Sequence, residues 1–191
     1  MPDSLEDLDE ILYEPSEEFV EESNVHAFMQ EHGIADFEEL HERTVSDVDG
    51  EPDSGLDWFW DEVVDYLDLD FYEEYDQVRD DSEGPQFTDW YVGGELNIAH
   101  NVVDRHAAPD SEKRNKVATL WEGEDGEVRE ITYHELHQQT NRVANALEER
   151  GIGTGDTVGL YMPMVPEIVP LLYGCFKVGA IAVPIFSGFG V

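Results

Sequence analysis

The sequence predicts an α/β protein in which an acidic, mainly helical leader precedes a β-hairpin and one β-α-β unit. Three observations carry that prediction. Charge is split unevenly: residues 1–90 hold 32 acids against two bases (−30), whereas residues 91–191 hold 14 against eight (−6). From Val117 onward the apolar residues fall into short strand-like runs bounded by Gly and Asp. Thr132 and Glu135 then form a capping-box pattern at the head of a long amphipathic stretch. The division falls near residue 90, with residues 1–90 as the leader and residues 91–191 as the start of the main domain.

In the leader, short helices are expected from Asn24 to Gly33 and from Asp36 to Arg43, the second opened by the Asp36-x-x-Glu39 capping pattern. Asp49 to Gly55 reads as a loop. Trp60, Val63, Val64 and Leu67 then recur at i, i+3, i+4 and i+7, one face of a helix. With acids on its other faces, this helix is expected to turn its Trp and Phe side inward, onto the main domain.

The main domain follows. Val117 to Glu122, the turn Gly123 to Gly126, and Val128 to Thr132 read as a hairpin. The helix capped by Thr132 buries Leu136, Thr140, Val143, Ala144 and Leu147 and stops at Gly151. A strand Thr157 to Tyr161, a helix from Pro166 to Val178 and a strand Ala180 to Ile185 complete a β-α-β unit, whose strands are expected to be parallel with a right-handed crossover.

Composition excludes several functions. Three Lys and seven Arg spread along a chain of net charge −36 cannot assemble the basic patch that nucleic acid requires. The single cysteine, Cys175, rules out an internal disulfide and a Cys-based zinc cluster, and reads as a buried core thiol. Met1 to Glu10 is acidic where a signal peptide needs a basic start, which predicts a cytoplasmic protein. Ile168 to Val191 carries one charge, Lys177, but Pro170, Pro184 and four glycines divide it into a buried helix and strand, so no membrane span is expected. Few lysines and excess carboxylates suit a salt-rich cytoplasm, where a Debye length of about 3 Å at 1 M salt screens self-repulsion.

The candidate sites differ in context. Gly151-Ile-Gly153-Thr-Gly155 closes a helix and enters a strand, whereas an anion loop follows a strand and opens a helix. Phe186-Ser-Gly-Phe-Gly190 does follow a strand, at the edge where open α/β sheets bind ligands. His134 and His137 lie three apart on the capped helix without a third metal ligand, so no metal site is read there. His100 and His106 flank Asp104 and Arg105 with no nucleophile identifiable from spacing.

Six blocks together resemble the N-terminal region of AMP-forming acetyl-CoA synthetases and their acyl-CoA synthetase relatives, a family of adenylate-forming enzymes. They are Trp90-Tyr-Val-Gly-Gly-Glu-Leu-Asn97, Asn101-Val-Val-Asp-Arg-His106, Ile131-Thr-Tyr-His-Glu-Leu136, Asn141-Arg-Val-Ala-Asn-Ala146, Tyr161-Met-Pro-Met-Val-Pro-Glu167 and Gly174-Cys-Phe-Lys-Val-Gly-Ala180. The resemblance runs from about Pro15 to Val191 and takes in Trp58 to Asp81, which is similar to the family's helical leader. The acidity resembles that of a haloarchaeal member.

The resemblance implies the first β-α-β part of the family's large AMP-binding domain, with the phosphate loop beyond Val191. It implies a ligase that activates a carboxylic acid, acetate or similar, with ATP and Mg²⁺ to an acyl-adenylate, then transfers the acyl group to coenzyme A. No catalytic residue is expected within these 191 residues. Phe186, Ser187 and Gly188 match a family turn bordering the nucleotide end of coenzyme A, with Ser187 in place of the usual first glycine. A side chain there narrows backbone approach to a ligand. The competing readings are a non-catalytic interaction module, or a split-enzyme half that needs the missing C-terminal part as a partner chain. A third, an adenylating enzyme of another kind, is opposed by the first two blocks.

Overall fold

The computed structural model describes residues 13–47 and 54–188. The chain forms two compact units, one of residues up to Leu69 plus Val78–Trp90, the other of Asp70–Gln77 plus residues from Tyr91 onward.

Among the described residues the first unit contains the helices α1 (Glu17–Glu21), α2 (Asn24–Glu31), α3 (Phe37–Val45) and α4 (Ser54–Tyr66). Side chains of Ser16, Ser23 and Asp36 accept from the backbone N–H groups of Phe19, His26 and Glu39, which satisfies one orphan donor in the first turn of each of α1, α2 and α3. Glu39 in turn accepts from Ala35 N at 2.8 Å. Gly33, at φ 66°, ends the α2 segment in the left-handed region. Phe28, Met29, Ile34 and Leu40 are buried, with Trp58, Phe59, Val63 and Tyr66 packed against them.

The aromatic face of α4 is therefore Trp58, Phe59, Val63 and Tyr66, turned onto α2 and α3 of its own unit. Of the expected face, Val63 and Val64 do turn inward, Val64 being buried, whereas the ends of that face are corrected: Leu67 lies past the helix end and is exposed, and Trp60 meets Trp90 edge-on at 5.8 Å. Helix α4 also starts before the expected loop ends. Ser54 and Gly55 are helical, and a Cβ at Gly55 would lie 2.0 Å from Arg43 O, so α4 opens in direct backbone contact with the end of α3. The rest of that expected loop, 49–53, lies outside the described residues. Both bases of the acidic half are engaged: Arg43 lies 3.8 Å over the Trp58 ring, and Arg79 bridges Asp57 and Asp81 at 2.8 and 2.7 Å.

Strands β1 (Gln77–Asp80) and β2 (Asp89–Val92) pair in a two-stranded sheet with a short 3-10 turn, Pro85–Phe87, between them. These strands, like α1, carry too short a pattern to read from sequence.

The second unit contains a π-helical turn, His100–Asp104, running into α5 (Arg105–Ala107), then the hairpin β3 (Val117–Glu122) and β4 (Val128–Thr132), helix α6 (Tyr133–Glu148), strand β5 (Thr157–Met162), helix α7 (Ile168–Lys177) and strand β6 (Ile181–Phe186). β3 and β4 are antiparallel with Glu122 opposite Val128, and β5 and β6 are parallel from Thr157 opposite Ile181 to Met162 opposite Phe186. The capping box is complete, with Thr132 Oγ1 accepting from Glu135 N and the Glu135 carboxylate accepting from Thr132 N. Leu136, Thr140 and Ala144 are buried along α6, while Val143 and Leu147 are half-buried. Two clusters form the core: Val103, Ile131 and Leu136 in one, Leu160, Cys175 and Ala180 in the other.

Candidate functional site

The parallel register places the ends of β5 and β6 side by side, so the loop after Met162 and the turn after Phe186 emerge at the same edge. Trp121 Nε1 donates to Met164 O at 2.8 Å and ties the first of these to the hairpin. Ser187 and Gly188 form an exposed turn at that edge. Phe189 and Gly190 lie outside the described residues. An exposed turn with backbone N–H groups and a hydroxyl at the carboxyl end of parallel strands can meet a polar ligand.

A second polar cluster joins three elements of the second unit. Asp104, at the end of the π-helical turn, accepts from Lys177 Nζ at 2.5 Å and from His137 Nδ1 at 2.7 Å on the same Oδ1. Asn141 lies 2.8 Å from Lys177 Nζ through Oδ1 and 2.9 Å from His137 Nε2 through Nδ2. Lys177 is thus committed to structure. A related set fixes the preceding segment: Asn101 exchanges bonds with the Asp70 backbone, His100 Nε2 lies 2.6 Å from Asp70 Oδ2, and Asn97 Nδ2 donates to Phe176 O at 2.8 Å, near the end of α7.

The remaining candidates take structural positions. His134 Nε2 lies 3.3 Å from Arg114 Nη2 and 3.1 Å from Gln138 Nε2, while His137 faces Asp104, so the two histidines have separate partners. Among the described residues no group of three or more His, Cys, Asp or Glu is placed to hold a metal ion. His106 stacks on Tyr133 at 5.1 Å; desolvation, then the charges of Lys113 and Arg105, hold its imidazole below the usual range. Cys175 is buried, which pushes its thiol up. In the Gly151–Gly155 loop, Gly153 N donates to Asp156 Oδ2 and Gly155 N to Gly179 O, so those donors are spent within the fold.

Sequence reasoning missed the Asp104 cluster and the Asn97–Asn101 set. Asn97, Asn101, Asp104, Asn141 and Lys177 lie inside the six blocks and Asp70, His100 and His137 outside them, and partners such as Asn97 and Phe176 are separated by 79 positions, which no local pattern connects.

Comparison with known proteins agrees with this architecture. Residues 104–191 match the family described as AMP-binding enzyme, and residues 37–102 match the one described as acetyl-coenzyme A synthetase N-terminus. The chain is 38% identical over 180 residues to the acetyl-coenzyme A synthetase of Methanothrix soehngenii, covering 93% of this chain and 25% of that protein. It is 42% identical over 134 residues to the 3-hydroxypropionyl-coenzyme A synthetase of Sulfurisphaera tokodaii, covering 70% of this chain and 20% of that one. The solved structure of acetoacetyl-CoA synthetase from Streptomyces lividans superposes with a TM-score of 0.79 at 25% identity, over 95% of this chain and 27% of its own.

The fold is thus the mixed α/β arrangement of the N-terminal part of acyl-CoA synthetase structures. The chain belongs to the AMP-forming acetyl-CoA synthetase family and corresponds to the N-terminal portion of its members. It spans about a quarter of the length of the relatives it matches. No described helix is long and apolar enough to cross a membrane.

Proposed function

We propose that this chain supplies the N-terminal portion of an AMP-forming acyl-CoA ligase, which joins a small carboxylic acid to coenzyme A through an acyl-adenylate made from ATP. The observation that carries this reading is the pair of family matches, in order, across residues 37–102 and 104–191. Residues 1–90 form the leader and residues 91–191 begin the AMP-binding domain. The acid is left open, because the relatives are named for acetyl, 3-hydroxypropionyl and acetoacetyl groups. A cytoplasmic, salt-rich setting suits the net charge of −36.

Coenzyme A fits the exposed edge after β6: Phe186, Ser187 and Gly188 would border its nucleotide end, with Ser187 setting how closely the ligand approaches the backbone. The phosphates of ATP fit less well. Stabilising a transferring phosphoryl group takes preorganised N–H donors and cations. Of the described bases, Lys177 is held by Asp104 and Asn141, Arg129 by Glu127 and Glu167, and Arg79 by Asp57 and Asp81. No adenylation step is assigned to these residues.

The test is pyrophosphate release. The purified 191-residue chain, incubated with ATP, Mg²⁺ and a panel of short acids, gives none above blank, and adding the downstream region of a relative restores turnover. Release by the chain alone would show that its own residues form the phosphate site. Failure of the downstream region to restore turnover would favour an interaction module.

A further inference from the structure

Asp104, His137, Asn141 and Lys177 form a connected set of hydrogen bonds whose donors and acceptors allow one arrangement of protons. A lysine ammonium only donates. Lys177 Nζ lies 2.8 Å from Asn141 Oδ1, so the Asn141 amide turns its oxygen to Lys177 and its nitrogen to His137 Nε2, 2.9 Å away. An amide nitrogen donates, so Nε2 must be without a proton. The Asp104 carboxylate accepts, and its Oδ1 lies 2.7 Å from Nδ1, so the proton sits on Nδ1.

We propose that Lys177, acting through Asn141, holds His137 in its Nδ1–H tautomer, with Nε2 accepting from the Asn141 amide. The cluster then joins α6, α7 and the turn before α5 through one fixed set of donors and acceptors. The other tautomer carries its proton on Nε2 and leaves Nδ1 bare beside the Asp104 carboxylate. To accept from Nε2–H, the Asn141 amide has to turn over, which aims its NH₂ group at the Lys177 ammonium. Donor then meets donor at a Lys177 side chain only 12% exposed.

The charged groups facing His137 are Asp104 from the π-helical turn and Lys177 from the last turn of α7. On its own helix, His134 lies one turn back, engaged with Arg114 and Gln138. Asp104 constrains the ring directly through Nδ1, and Lys177 constrains it through the orientation of the Asn141 amide.

Nitrogen-15 NMR of the labelled 191-residue chain, in potassium chloride sufficient for folding, reads the protons directly. At neutral pH His137 shows a protonated Nδ1 and a bare Nε2, the reverse of the tautomer a free neutral imidazole prefers. An Nε2–H tautomer or a doubly protonated ring at neutral pH would overturn the proposal. Lys177→Met, which frees the Asn141 amide to turn over, and Asn141→Leu, which removes it, each raise the share of the Nε2–H tautomer. A response to Asn141→Leu alone would show that Lys177 does not set the amide. No response in either variant would show that Asp104 alone fixes the tautomer and would overturn the proposal. The wild-type spectrum decides the tautomer even if a variant does not fold.

Discussion

A Cβ built at Gly174 would lie 2.4 Å from Val143 Cγ1 and 2.6 Å from Val143 Cβ, closer than real side chains approach. Val143 is β-branched and held on α6, so it has little rotamer freedom with which to yield. Gly174 is what lets α7 approach α6 this closely. Gly174→Ala should therefore destabilise the protein by about 1–3 kcal/mol, the usual cost of overpacking, which exceeds the roughly 0.5–1 kcal/mol that alanine gains over glycine within a helix. Adding Val143→Ala should recover most of the loss. Denaturant unfolding of the two single variants and the double variant checks this, and a stabilising Gly174→Ala would show that the helices separate freely.

Helix α6 begins with a reciprocal cap, and its charge chemistry follows from the geometry. The Thr132 backbone N–H, then its hydroxyl, holds the Glu135 carboxyl below the usual range. The folded state therefore binds fewer protons at Glu135 than the unfolded state does. The stability this gives is present above the ordinary glutamate value of about 4.3 and is lost as pH falls through the depressed one. Thr132→Ala removes the cap oxygen and one of the two donors to Glu135, at a cost of about 1 kcal/mol at neutral pH. The gap between wild type and Thr132→Ala should narrow in acid as Glu135 is protonated. Denaturation midpoints measured at neutral and at acidic pH give both numbers. A gap that is unchanged in acid would separate the cap from the ionisation of Glu135.

At the scale of the whole molecule, 46 acids against 10 bases make repulsion the dominant long-range force. The Debye length falls from about 10 Å at 0.1 M salt to about 3 Å at 1 M, so charges on neighbouring surfaces cease to feel each other. The small aromatic core of the first unit works against most of this charge, since residues 1–69 and 78–90 hold 28 acids and two bases, a net −26. Thermal unfolding followed by circular dichroism should show a midpoint that rises markedly between about 0.1 and 3 M KCl, with the structure lost or loosened at the low end. An unchanged midpoint over that span would mean that local pairing, such as Arg79 with Asp57 and Asp81, already neutralises the repulsion.

The sequence by itself determined the elements whose causes are local. The Thr132–Glu135 box, the Gly123–Gly126 hairpin turn and the β-α-β run from Thr157 each depend on residues a few positions apart, and the structure has all three, with β5 and β6 parallel. The edge that presents Ser187 and Gly188 was legible for the same reason, since a turn after a strand is a local pattern. The resemblance carried in six short blocks pointed to the family. The sequence placed Val63 and Val64 on the inward side of α4, but tertiary structure decided the aromatic part of that face, where Trp58, Phe59 and Tyr66 rather than Trp60 and Leu67 pack against Phe28 and Leu40. It also decided the roles of Asp104, Asn141 and Lys177. Hydrogen-bond partners 36 and 73 positions apart meet only after α7 folds back onto α6, and a polar side chain in a sequence carries no record of which distant donor it will face.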